Sequence, residues 1–246
     1  MTSPERQARV IPAIHHFLGR TVSSQAFEER ILGDLLPTFC NDPQRQFALE
    51  GFRPQWERIS DRDAKDFLLG LDGGLITHVG RGLYRAPKSC ASEQFFWEGR
   101  RGVTPRTITL WVEPFITVAV LARLHFVHGW PKELLGAQSA DWAFDVTAHL
   151  PGDADNEHIA CEVKATNTEL NQLVHLMERF GAEPTASVPR GGKERNAFRK
   201  VQALRARRPP LFWAVGPAEV SHLFDVQLDD RGALNLRPID AGALAY

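Results

Sequence analysis

Cysteine is scarce: Cys40, Cys90 and Cys161 are the three in 246 residues, odd in number and without CxxC spacing. That argues against a disulfide framework or a cysteine-rich zinc site and favours a reducing, cytoplasmic setting. Long apolar runs are missing too. The greasiest stretch, "FITVAVLARLHFVHGW", is broken by Arg123 and His125 and reads as a buried helix, not a membrane span. The opening "MTSPERQARV" has no apolar signal-peptide core, so no membrane partner is expected. Charge of one sign is lacking as well, since the net charge is −1 and bulk electrostatics select no partner. Neither GxxxxGK[ST], GxSxG nor HExxH occurs, which leaves P-loop, serine-hydrolase and zincin chemistry without support.

What is present is a core-forming composition, 43% hydrophobic, and a change of pattern near residue 92. Residues 1–92 read as mainly helical. Helices are predicted at Ser24–Leu36, Gln44–Trp56 and Asp61–Leu71, the last opened by a Ser60/Asp63 cap. A hairpin follows, Leu75–Val79 and Leu83–Ala86 around Gly80-Arg81-Gly82. Residues 93–246 alternate strands with covering helices and predict an α/β domain. A long apolar helix is expected at Pro114–His128, a second at Thr168–Arg179, a basic one at Lys193–Arg207, a strand in "PPLFWAVG" and a last hairpin turning at Asp230-Arg231-Gly232.

One stretch asks for a chemical explanation. "AFDVTA" and "IACEVKA" set Asp145, Glu162 and Lys164 into apolar strand surroundings, on either side of the turn-rich "PGDADN". Folded as an antiparallel hairpin centred at Asp153–Ala154, Trp142 faces Ala165, Phe144 faces Val163, Val146 faces Cys161, Ala148 faces Ile159 and His149 faces His158. The same register sets Asp145 opposite Glu162, with Lys164 on their side. Directly opposed like charges destabilise a pair of strands, so the two carboxylates need a cation or a shared proton. Magnesium, a hard ion with oxygen ligands, suits them, with manganese able to substitute. The plain competing reading is a salt-bridge ladder on an ordinary sheet.

Three short helices and the hairpin "HVGRGLYRAP" resemble a winged-helix module, in which Arg81, Arg85 and Lys88 are the phosphate-contact candidates. Its third helix carries Asp61, Asp63, Asp66 and Asp72, which repel phosphates, so the resemblance leaves DNA contact and protein contact both open. The spacing Asp145–x16–Glu162–x–Lys164 resembles the signature of the PD-(D/E)XK nuclease superfamily, without the leading Pro. That resemblance implies a restriction-endonuclease-like mixed central sheet flanked by helices. It further implies that Asp145, Glu162 and the Val163 carbonyl ligate Mg²⁺, with Glu113 acting directly or through water. Lys164 would orient or deprotonate the attacking water, desolvation lowering its pKa in the second case. Asp141 and Gln172 become supporting residues around that set, and Asn171 a weaker candidate beside Gln172.

The segment Arg190–Arg208 holds eight Lys/Arg against one acid. On a helix Arg195, Arg199 and Lys200 would present a cationic face to DNA, with Phe198, Val201 and Leu204 turned inward. The expectation is a DNA nuclease, as a monomer or homodimer and with or without a licensing partner protein. The alternative is a catalytically inactive nucleic-acid-binding or assembly protein on the same fold.

Overall fold

The structure is a computed structural model that describes residues 21–153 and 156–246. The start of the expected first domain and the midpoint of the expected Asp153–Ala154 turn lie outside the described residues. In chain order come helix α1 (Val22–Arg30), a π-helical turn (Ile31–Leu35) and α2 (Leu36–Cys40), then strand β1 (Phe52–Arg53) and helix α3 (Asp61–Asp72). Strands β2 (Thr77–His78), β3 (Leu83–Arg85), β4 (Glu93–Gln94), β5 (Phe96–Glu98) and β6 (Ile108–Leu110) lead to helix α4 (Val112–Phe126). Strands β7 (Leu135–Ala137), β8 (Val146–His149) and β9 (Glu157–Val163) precede helices α5 (Asn167–Ala182) and α6 (Gly192–Arg207). Strands β10 (Leu211–Val215), β11 (Ser221–Leu228) and β12 (Leu234–Pro238) complete the order.

The largest sheet runs β12-β11-β10-β9-β8-β7. It is mixed: β7, β8 and β9 form an antiparallel meander, β10 lies parallel to β9, and β11 and β12 return antiparallel. Period-two alternation sends its side chains to two separate cores. Ile159, Cys161 and Val163 join Leu211, Trp213 and Val215 against α4, whereas Ala160, Phe212 and Ala214 pack on α5 and α6. Both faces of β9 and β10 are therefore covered, which explains why these strands read as apolar runs.

The α/β architecture matches the expectation; the N-terminal helices match it only in part. The segment Gln44–Trp56 is not a helix. Gln46 and Gln55 take left-handed φ values of 48° and 51°, and Phe52–Arg53 pair in parallel with Ile108–Thr109. Its apolar residues follow tertiary contacts, Phe52 meeting Phe96 and Trp56 meeting Phe27, and not a helical stripe. The first helix continues past Leu36 to Cys40 through the π turn, which accommodates Pro37, a residue with no N–H to give to the turn before it. The three-helix set of a winged-helix module is thus incomplete, although its hairpin forms, with Val79 N–H donating to Leu83 O at 2.8 Å and Arg81 at φ 58°.

Helix α3 starts at the Ser60 cap as expected, but it lies against α4 and not in the open. Its acids Asp63 and Asp66 are buried around Arg123 of α4, at 2.5 and 2.7 Å. Half of the acidity that would repel DNA is used inside the protein, while Asp61 and Asp72 remain exposed. One apolar cluster runs from Phe27 and Phe67 to Val163 and Val215, so no gap in the core marks residue 92.

Candidate active site

The hairpin register holds over its middle. Val146 pairs with Cys161, Thr147 with Ala160 and Ala148 with Ile159; Asp145 lies just beyond these pairs, its N–H donating to Cys161 O at 2.9 Å, and its carboxyl group is close enough to feel Glu162. Beyond these pairs the ladder departs from the expectation at both ends. A bulge after Ala148 places His149 opposite Glu157, not His158. At the other end the chain turns at Ser139–Trp142, where the Ser139 hydroxyl accepts from the Ala143 and Phe144 N–H groups. Trp142, at φ 60° and 67% exposed, has no cross-strand partner, and Phe144 joins the core under α5 and α6 instead of following Val146. Side-chain hydrogen bonds in that turn outweigh the alternation pattern.

Glu162 is buried on the α5/α6 side of β9, and each of its oxygens meets an ammonium. Lys164 Nζ stands 2.6 Å from Oε1, and Lys200 Nζ, from α6, stands 2.5 Å from Oε2. Lys200 also donates to the Ala143 carbonyl at 2.6 Å. Lys164 continues to the Val163 carbonyl at 2.8 Å and to Glu113 Oε1 at 3.3 Å. Asp145 accepts from the Val163 N–H at 2.8 Å. The end of β9, the start of α4 and the middle of α6 thus meet at one point.

The charges are unevenly met. Burial and then the Glu162 carboxylate push Asp145 up to about 8, more than Lys200 and Lys164 offset. Burial also acts to raise Glu162, but Lys200 and Lys164 prevail and hold it below its ordinary range. Lys164 reverses an expectation. Burial pulls it down, yet Glu162, Asp145 and Glu113 together raise it above the ordinary lysine value. A lysine held charged is a cationic clamp and not a proton acceptor at neutral pH.

Among the described residues no group of three or more His, Cys, Asp or Glu side chains stands ready to hold a metal ion. The donors around the Lys164 ammonium are nevertheless all oxygens: Glu162 Oε1, Val163 O and Glu113 Oε1. They are three of the ligands that the family resemblance implies, gathered about a positive charge. Hard oxygen donors of this kind fit Mg²⁺ or Mn²⁺.

Glu113 and Lys164 open into a cleft of about 190 Å³ that Glu169, Gln172, Lys193 and Asn196 also line. Gln172 accepts from Lys193 Nζ there at 2.8 Å. Asn171 is bound elsewhere, to the His222 ring at 2.9 Å. Asp141 stands outside the cluster as well, paired with Arg207; burial acts to raise it, but Arg207 and the Ala143 N–H keep it below the usual carboxylate range.

The basic helix forms with Phe198, Val201 and Leu204 inward, and Arg195 and Arg199 are exposed. Lys200 does not share their face: only 4% exposed, it is an internal partner of Glu162. That role was visible in principle, since Lys200 lies three residues after Ala197 and four before Leu204, within the apolar stripe. Arg81 and Arg85 are exposed on the β2–β3 hairpin, where the Arg85 guanidinium bonds the Ser89 carbonyl, and Lys88 is half-buried with its N–H on Leu135 O. Glu93 escaped the sequence reading altogether. Buried on β4, it accepts from Gln138, and burial pushes it up to about 7.

Comparison with family models, with curated proteins and with solved structures finds no match for the chain.

Proposed function

We propose that the protein is a metal-dependent nuclease hydrolysing DNA, with a restriction-endonuclease-like core made by α4, the β7–β8–β9 meander, α5 and the parallel strand β10. The observation that carries the proposal is the convergence of Glu162 Oε1, Val163 O and Glu113 Oε1 on one ammonium, beside an Asp145 that lacks a full share of positive charge. Magnesium, or manganese in its place, would be held by Asp145, Glu162 and the Val163 carbonyl, with Glu113 at the cleft edge. When bound, it supplies an activated water and neutralises charge on the phosphate.

The remaining work belongs to the chain. Lys164, whose charged form Glu162, Asp145 and Glu113 favour over the opposing effect of burial, orients the water or stabilises the crowded phosphorus. Lys200 keeps Glu162 ionised and fixed in position. Lys193, Gln172 and Asn196 line the approach to the cleft, and exposed Arg195 and Arg199 add affinity for phosphates without sequence information.

The closure of Glu162 between two lysines favours a second reading, a nuclease-like binding or assembly protein that does not cut. Incubation with plasmid and linear DNA in Mg²⁺ and in Mn²⁺ decides between them. Cleavage that falls at least about 100-fold in Lys164→Ala supports the enzyme. Salt-sensitive DNA binding without cleavage in either metal establishes the binding protein.

A further inference from the structure

Large aromatic side chains are normally drawn into the core, and an exposed pair beside a candidate active site calls for a ligand. Trp97 and Trp111 form such a pair, 57% and 37% exposed, with ring centroids 5.4 Å apart in an edge-to-face arrangement. Trp97 points outward from β5, the edge strand of its sheet, while its neighbour Phe96 is buried. Trp111 caps α4, and its backbone N–H donates to Phe95 O at 2.9 Å, which ties the start of the helix to the same ribbon. Two residues on is Glu113, whose carboxylate reaches Lys164. The indoles therefore adjoin the helix start that carries the cleft-edge acid.

The charge in the adjoining hairpin loop has one sign. Strands β5 and β6 form a hairpin prolonged by the Gly99 N–H to Thr107 O bond, and Arg100 and Arg101 stand exposed in its loop. Arg106 and Arg45 already satisfy the carboxylate of Glu98. Among the described residues no carboxylate pairs with Arg100 or Arg101, so the hairpin presents two exposed guanidinium groups in its loop and two exposed indoles at its other end. Aromatic faces stack on bases and arginines meet phosphates; duplex DNA hides its base faces, and an unpaired strand offers both.

We propose that the β5–β6 hairpin binds an unpaired nucleic-acid strand, Trp97 and Trp111 stacking on its bases while Arg100 and Arg101 hold its backbone, and so delivers single-stranded or locally opened DNA to the cleft at Glu113. The ligand class rests on the nuclease reading. The binding itself is measured apart from it, with the full chain in EDTA, where nothing is cut.

Anisotropy of a labelled single-stranded oligonucleotide is the readout, alongside the same sequence as duplex and a base-free polyphosphate. Because both indoles are exposed, the double variant Trp97→Ala/Trp111→Ala should fold, which circular dichroism checks. It is expected to bind the single strand about 10- to 100-fold more weakly, with polyphosphate binding unchanged. The Phe/Phe variant, which keeps the aromatic faces, should stay within about threefold of the parent. Arg100→Ala/Arg101→Ala should weaken both ligands and flatten the salt dependence. The proposal is overturned if the alanine double variant binds the single strand like the parent, if it loses polyphosphate equally, or if the parent binds duplex at least as tightly. Metal-dependent cleavage with intact binding in the alanine variant overturns this inference alone. Trp-dependent binding with no cleavage in Mg²⁺ or Mn²⁺ overturns the nuclease reading alone.

Discussion

Two buried charge clusters stand on opposite sides of helix α4's sequence, and they are built in opposite senses. Near its C-terminal end, one cation meets two acids. Arg123 is clamped by Asp63 and Asp66, Asp63 also accepts from the Ser60 hydroxyl and the Ala218 N–H, and Arg62 bridges Asp66 to Glu219. At its N-terminal end, one acid meets two cations while a second acid is left to burial and repulsion. The first arrangement ties α3 to α4 and is spent on cohesion. The second faces a cleft and keeps a carboxylate, Asp145, in a state that an added positive charge would relieve. Perturbed groups of that kind mark functional sites more often than scaffolding does.

That contrast can be broken most directly at Arg123. Arg123→Met leaves Asp63 buried without its cation and Asp66 with Arg62 alone, and a loss of about 3–5 kcal/mol in denaturant unfolding is expected. A loss under about 1 kcal/mol would mean that the α3–α4 cluster is not structural. Lys200→Met is the matching change at the other cluster. Glu162 keeps Lys164 but Ala143 O loses its donor, so a smaller loss, about 1–3 kcal/mol, is expected in the same experiment.

Asp145 sharpens the contrast through pH. Its folded-state pKa of about 8 lies above the value for an unfolded chain, about 3.9, so between those limits the folded protein binds more protons. Stability from this group is complete at low pH and is lost as pH rises toward 8. Asp145→Asn removes that slope. Parent and variant melting curves should diverge steadily above pH 5, by about 1 kcal/mol or more at pH 8, in favour of the variant. Parallel curves would show that the acid is not held in its neutral form. Added Mg²⁺ or Mn²⁺ should raise the parent's melting temperature more at pH 8 than at pH 6, because binding displaces that proton. The smallest effect is expected at Arg199. Arg199→Ala should change stability by less than about 0.5 kcal/mol, while reducing the salt slope of DNA binding by about 1.

The sequence read well where one local rule decides an outcome. The Ser60 cap, the Asp230-Arg231-Gly232 turn and the inward Phe198, Val201 and Leu204 follow from hydrogen-bond and periodicity rules within a few residues, and the structure has all three. The pairing of Val146 with Cys161 was legible because one slip in register would move every side chain to the other face. Reading failed where distant contacts compete with local preference. Gln44–Trp56 has helix-compatible composition but is drawn out to pair with β6 and to pack Phe52 and Trp56. Ser139 stops the strand that Trp142 and Phe144 would have continued.

By itself the sequence determined the starts of α3, α5 and α6, the α/β pattern and the approach of Asp145 to Glu162, since backbone sterics and period-two alternation act over short spans. Only the tertiary structure decided which charges meet. Lys200 turns inward to Glu162, Lys164 reaches across to Glu113, and the acids of α3 close on Arg123. A charge is expensive to bury until its counterpart arrives, and here each counterpart lies tens of residues away along the chain. No local pattern encodes that meeting; the packing of α3, α4 and α6 around the sheet brings it about.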